Sequence, residues 1–123
     1  MSLSPRAFRL LAYVCVCVII GLSLLPGPDR PHTGAPGRVE HFIAYAGTGL
    51  LFCIGFTAKS GRLLAFVGLA VLSSVMELLQ AFVPGRSPAV LDAVASTAGA
   101  AVGLCSGALL RFAASRTSGR LGL

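Results

Sequence analysis

Four long apolar runs constrain the fold of this chain more than any other feature. They cover about residues 7–25, 39–58, 63–83 and 89–112, and each has roughly the 20 residues that cross a bilayer core as a helix. Lipid offers no hydrogen bonds to a backbone, so a spanning segment must be helical or part of a closed barrel. The pattern therefore predicts an all-α, polytopic membrane protein folded as a bundle of four transmembrane helices.

Composition points to the same class. Hydrophobic residues make up 55% of the 123 residues and charged residues 11%, whereas soluble domains carry about 25% charged residues. There is no repeat, no low-complexity tract and no linker, so we predict a single membrane domain over residues 1–123.

The net charge is +6. Because no basic patch alternates with exposed aromatic residues, we predict no nucleic-acid partner.

The positions of the basic residues predict the topology. Seven lie at the chain ends or in the second connection: Arg6, Arg9, Lys59, Arg62, Arg111, Arg116 and Arg120. The other three, Arg30, Arg38 and Arg86, lie in or beside the first and third connections. The positive-inside rule then places both termini in the cytoplasm. We also expect residues 59–62 to form a turn, Ser87 to cap the fourth helix and the tail from residue 113 to be frayed.

Polar residues gather at the predicted outer face. A carboxylate inside an apolar helix is costly and usually has a function, and Glu77 lies near the end of the third helix. Residues from three helices and a turn converge on the same layer, and we predict that they form an outward-facing polar pocket: His41, Tyr45, Glu77, Gln80, Arg86, Asp92 and Ser96. Glu40 falls on a different helical face and is expected to be solvated.

Simpler roles stay open for individual members of this set. Glu77 could be protonated, or paired with Arg86 or His41 as a structural contact. His41 could be a capping or solvated residue at its helix start. Asp92 would be stabilised by the dipole of its own helix. The dipole explains this one acid but does not explain why the residues converge on one layer.

The residue types do not point to one chemistry. No Ser or Cys carries a nucleophile signature beside His41, so a Ser–His–acid set has no sequence support. The four cysteines lie in apolar runs without metal-ligand spacing. His41, Glu77 and Asp92 are suitable ligands for a metal ion, but no local spacing supports a site. We therefore predict neither a metal nor another cofactor, and the missing nucleophile favours a non-enzymatic role.

The fourth apolar run carries small residues every four positions. Gly99, Gly103 and Gly107 follow Ala95 along one face. Small residues at this spacing allow close packing of transmembrane helices. The partner could be another helix of the same chain or a second copy, so a homo-oligomer formed through this glycine stripe is one expectation.

The motifs of the last three runs together resemble the VanZ-like membrane protein family. They are Arg38-x-x-His41-Phe42-x-x-Tyr45, Glu77-x-x-Gln80, Pro84-Gly85-Arg86, and Asp92 followed by Gly99 and Gly103. The resemblance implies a short, multi-pass protein of the bacterial cytoplasmic (inner) membrane, and it adds Arg38 to the residues expected in the polar pocket. The name-giving member is associated with resistance to glycopeptide antibiotics, especially teicoplanin. The chain departs from the family pattern at Ser96, where Asn is usual, and at Gly37, where Asp is common.

Three functions compete at this point. The pocket could bind a cell-envelope ligand, such as a cell-wall lipid precursor or an amphiphilic antibiotic, and so contribute to teicoplanin-type resistance. Alternatively, the chain could be a membrane-embedded enzyme that acts on a lipid or lipid-linked headgroup. His41 would then be the general acid or base with Glu77 or Asp92, and Arg86 would bind phosphate. A third possibility is a structural subunit that docks on a partner through the glycine stripe.

Overall fold

The computed structural model describes residues 3–122. Its helices are α1 (Pro5–Leu24), α2 (Gly37–Gly55), α3 (Lys59–Gln80) and α4 (Val90–Arg120), with a 3₁₀ turn at Gly27–Asp29. The predicted all-α class is confirmed. Three helices, α1, α3 and α4, are long and apolar enough to cross a membrane. The exception is α2, which carries Arg38, Glu40 and His41 close to its start.

Helix α2 lies at the centre of the bundle, in contact with the other three helices, and α4 is its main partner. The glycines of the α4 stripe make this contact possible, with Gly99 on Phe42, Gly103 on Ala46 and Gly107 on Cys53. A Cβ atom at Gly103 would overlap the carbonyl oxygen of Ala46. The stripe therefore packs against α2 of the same chain, and this face gives no support to a homo-oligomer.

Helix α1 covers another side of α2 through aromatic contacts. The rings of Tyr13 and Phe52 meet edge to face with centroids 5.2 Å apart. Large apolar side chains on the outside of the bundle remain exposed, as at Leu10, Leu64 and Leu109. An apolar exterior of this kind is unfavourable in water. It matches the lipid surroundings that the composition predicts.

Basic side chains gather where α2 ends. Arg62 donates a hydrogen bond to the carbonyl of Phe56 at 3.2 Å, and Arg111 donates one to that of Ile54 at 3.3 Å. The guanidinium of Arg9 lies 5.6 Å from the centre of the Phe56 ring. These contacts supply cations to helix carbonyls that lack intrahelical partners. We call this the basic end of the bundle.

Three local predictions are wrong. Residues 59–62 form the first turn of α3, because the chain breaks earlier, at residues 56–58. The tail stays helical to Arg120, where the hydroxyls of Ser115 and Thr117 bond to carbonyls three and four residues back. Ser87 does not cap α4, since the cap position falls on Ala89, whose side chain cannot accept a hydrogen bond. The last residue of the predicted tail, Leu123, lies outside the described residues.

The close α2–α4 contact predicts a large difference between two Gly→Ala substitutions. Gly103→Ala should destabilise the protein by about 1–3 kcal/mol, because the new methyl group forces the helices apart. Gly47→Ala on α2 is the matched control, because open space surrounds Gly47 and alanine is the better helix former there. Thermal unfolding in detergent, followed by far-UV circular dichroism, compares the two. Equal stability of both variants would contradict the packing.

Candidate functional site

The first and third connections meet at the end of the bundle opposite the basic end. The amide of Gly27 donates a hydrogen bond to the carbonyl of Pro84 at 3.0 Å. A Cβ atom at Gly27 would overlap the backbone of Gly85, whose φ of +73° itself favours glycine. The two connections thus form one layer over the ends of α1 and α3 and the starts of α2 and α4. We call this region the polar end.

Two predicted site residues secure the last turn of α1. Arg86 donates hydrogen bonds to the carbonyls of Leu25 at 2.9 Å and Leu22 at 2.5 Å. Gln80 donates one to the carbonyl of Ser23 at 3.2 Å. These carbonyls have no intrahelical partner, and a cation near a helix C-terminus is stabilised by the dipole. Arg86 and Gln80 therefore dock α1, a role that their positions in the sequence did not indicate.

Partial burial lowers the pKa of Arg86 from its usual value. The nearby charge of Arg30 adds to the effect and that of Glu77 opposes it. An arginine keeps its proton through shifts of this kind, because its unperturbed pKa lies far above neutrality. The polar end therefore retains a fixed positive charge on Arg86.

Glu77 joins α3 to the start of α4. Its Oε2 accepts a hydrogen bond from the amide of Ala89 at 2.9 Å. Ala89 is the cap residue of α4, so the carboxylate accepts the cap's own backbone N–H, as the acid of a capping box does, and lies where the helix dipole favours a negative charge. Glu77 is 8% exposed. Its other oxygen, Oε1, is buried and has no hydrogen-bond partner among the described residues.

His41, Glu77 and Asp92 come together from three helices. One imidazole nitrogen and one oxygen of each carboxylate lie within 4.8 Å of one another. We call these three residues the His–Glu–Asp cluster. Ser96, 1% exposed, lies 3.3 Å from Nδ1 of His41 through its hydroxyl oxygen. A hydroxyl so deeply buried orients the imidazole and is poorly placed to attack a substrate.

Two ion pairs complete the polar end. Nε of Arg38 lies 3.4 Å from Oδ1 of Asp92, with 57% of the arginine side chain exposed, which makes this pair a weak one. Arg30 pairs with Glu40, and Thr33 also donates a hydrogen bond to that carboxylate. The expectation that Glu40 is solvated is therefore wrong, since the first connection folds back and covers it.

Arg30, Thr33 and Glu40 are the residues that the predicted site lacked. The opposite charges of Arg30, within the first connection, and Glu40, in the first turn of the next helix, were the only sequence signal for them. That signal does not show whether the connection folds over the start of α2 or projects away from it.

Two cavities have His41 in their walls. One, of about 180 Å³, runs between α1 and α2 along mostly apolar walls that include Ile19, Leu22, Ala44 and Tyr45. The other, of about 450 Å³, is polar and has walls that include His32, Gln80 and Asp92. Arg30, His41 and Arg86 line both. We call them the apolar cavity and the polar cavity. Together they offer an apolar slot beside a region of charged and hydrogen-bonding groups.

The role of Arg86 in docking α1 leads to a stability prediction. Arg86→Gln should lower the free energy of unfolding by about 1.5–3 kcal/mol, because charged hydrogen bonds to the carbonyls of α1 are lost. Arg120→Gln removes the same charge from the exposed end of α4 and should have little effect. Far-UV circular dichroism melts in detergent measure both. If the two variants melt at the same temperature, Arg86 does not hold α1.

Comparison with known proteins adds no relative. No family model matches the chain, and neither a curated protein nor a solved structure shows significant similarity to it. The likeness to the VanZ-like family stays a prediction from the motifs.

Proposed function

We propose that this chain is a VanZ-like binding protein whose polar end holds the headgroup of an anionic, membrane-embedded amphiphile. The observation that carries this proposal is the pairing of the apolar cavity with the polar cavity across Arg30, His41 and Arg86. A ligand with an apolar chain and a charged head matches both cavities at once. Sites for small molecules commonly combine apolar walls with a few placed polar groups in this way.

The charges of the polar cavity favour a phosphate-bearing head. Arg30 and Arg86 both line it, beside His32 and His41, and Asp92 is the one acid in its walls. A guanidinium has five N–H donors. The bonds of Arg86 to α1 and the pairing of Arg30 with Glu40 leave others for a ligand. Guanidinium groups pair well with phosphate oxygens.

The ligand class that fits is a lipid-linked precursor of the bacterial cell envelope, or an amphiphilic antibiotic of similar character. Holding such a molecule at the membrane surface would be the route to glycopeptide resistance of the teicoplanin type. The buried position of Ser96 supports binding over covalent catalysis. The chain would act by sequestering or presenting its ligand.

The proposal includes a topology. In it, α2 crosses the membrane with the other three helices, both termini lie in the cytoplasm, and the protein resides in the bacterial inner membrane. The basic end gathers Arg9, Arg62 and Arg111, as expected for a cytoplasmic face. The charges at the start of α2 are paired, Glu40 with Arg30 and Arg38 with Asp92, which lowers the cost of placing this helix in the membrane.

One observation favours an enzyme as the second candidate. The His–Glu–Asp cluster places an imidazole beside two carboxylates, an arrangement suited to general acid–base chemistry on a lipid headgroup. In that case His41 moves the proton, and Glu77 or Asp92 orients the imidazole.

The topology predicts opposite labelling of two single cysteines in intact cells. In a background without the four native cysteines, a membrane-impermeant maleimide should modify His32→Cys at the polar end. Thr117→Cys, near the end of α4, should react only after the membrane is permeabilised. The reverse pattern, or labelling of both positions in intact cells, would contradict the proposed orientation.

The binding proposal predicts a loss of affinity for phosphate-bearing lipids in Arg30→Gln. Purified protein in nanodiscs should bind a long-chain lipid phosphate at least tenfold more weakly after this substitution, because one guanidinium leaves both cavities. Arg6→Gln, which removes the same charge at the basic end, is the control and should bind like the wild type. Competition against a labelled lipid phosphate measures both affinities.

Binding of this kind is contradicted if a neutral lipid with the same chain competes as well as the lipid phosphate does. It is also contradicted if Arg30→Gln and Arg6→Gln bind the lipid phosphate with the same affinity. Turnover of the lipid by the wild type, abolished in His41→Gln, would instead support the enzyme.

A further inference from the structure

The second oxygen of Glu77 has no partner that explains its burial. Oε1 is the one buried side-chain polar atom without a hydrogen bond in the described part of the chain, and the residue is 8% exposed. Burying an unpaired polar group costs roughly 1–3 kcal/mol, and a charged one more. The position of this oxygen therefore points to a bound group.

The His–Glu–Asp cluster offers ligand atoms at a spacing close to that of a metal site. The three atoms lie within 4.8 Å of one another. Around a tetrahedral ion with bonds of about 2.0 Å, ligand atoms are about 3.3 Å apart. To bind one ion, the two ligand atoms of each pair would therefore have to move closer together by at most about 1.5 Å. His41 and Asp92 are only partly buried, so their side chains have room to move by this amount.

Every member of the cluster is held through one atom and open at another. Ser96 holds Nδ1 of His41, which leaves Nε2. The amide of Ala89 holds Oε2 of Glu77, which leaves Oε1. Arg38 lies beside Oδ1 of Asp92, which leaves Oδ2. Outer partners that orient ligands through their second atom are typical of metal sites in proteins.

We propose that the His–Glu–Asp cluster binds one divalent cation, of the Zn²⁺ or Mn²⁺ class, through His41, Glu77 and Asp92. A set of one imidazole and two carboxylates favours these ions over Mg²⁺ and Ca²⁺, which prefer oxygen ligands alone. The dication balances the two carboxylates. The positive charges of the nearby arginines, Arg30, Arg38 and Arg86, oppose binding of the ion. Asp92 therefore has to bind the ion through one oxygen while the other stays beside Arg38.

The sequence alone predicts no metal site, because no two of the three ligands lie close in the chain. The ion does not depend on the proposed lipid. If both bind, the position left by three protein ligands can accept water or a ligand oxygen. His41 and Asp92 line the polar cavity, so an ion from solvent has a route to the cluster.

Metal titration of the purified protein tests the site with no lipid added. After removal of bound ions with EDTA, the wild type in detergent should take up about one Mn²⁺ or Zn²⁺ per chain. Asp92→Asn and His41→Gln should each bind at least tenfold more weakly, because each substitution removes one ligand. Asp29→Asn is the matched control, since it removes an exposed acid of the first connection. Glu77→Gln also alters the cap of α4, so the first two variants are decisive.

Pulsed electron paramagnetic resonance of bound Mn²⁺ gives a second readout. The wild type should show coupling to an imidazole nitrogen, and His41→Gln should lose it. The proposal is overturned if the wild type binds no ion at about 1 mM, if Asp92→Asn binds like the wild type, or if nitrogen coupling persists in His41→Gln. Because the probe is the metal alone, failure here leaves the lipid-binding result unaffected.

Discussion

The close contact of α4 with α2 is the interaction on which the rest of the structure depends. Gly99 and Gly103 let the two backbones approach until a Cβ atom would overlap a carbonyl oxygen, and Gly107 leaves room for the side chain of Cys53. This contact sets the register of the two helices. It places Ser96 beside His41 and brings Asp92 close to the same imidazole. A looser contact would leave the helices in place but would separate these groups, so the packing and the site share one physical origin.

The polar end combines structural and functional roles in the same side chains. Arg86 and Gln80 satisfy the carbonyls at the end of α1, and Glu77 satisfies the amide at the start of α4. The first and last turns of a helix leave backbone groups without intrahelical partners, and these side chains supply the missing partners. Polar residues at this end are therefore needed for folding whether or not a ligand binds. Two features of this end are not needed for folding: the unpaired oxygen of Glu77 and the two cavities that share His41 in their walls.

Much of the fold could be predicted because helices are local structures. Apolar runs and helical periodicity placed four helices within a few residues, except that α4 continues eight residues beyond the predicted end at residue 112. Most members of the polar site were found from the cost of charged and polar groups in apolar helices. Their partners were not, since the bonds of Arg86 to α1 and of Arg30 to Glu40 join segments whose approach no local pattern encodes.

By itself, the sequence determined that the chain is helical and apolar enough for a membrane, with seven of its ten basic residues predicted at one end and the acids at the other, and with a stripe of small residues suited to close packing. Only the tertiary structure decided that this stripe faces α2 of the same chain, that the first connection folds back over Glu40, and that His41, Glu77 and Asp92 meet. The physical reason is that periodicity gives the face on which a residue lies. The rotation and register of one helix against another follow from the packing of the whole bundle.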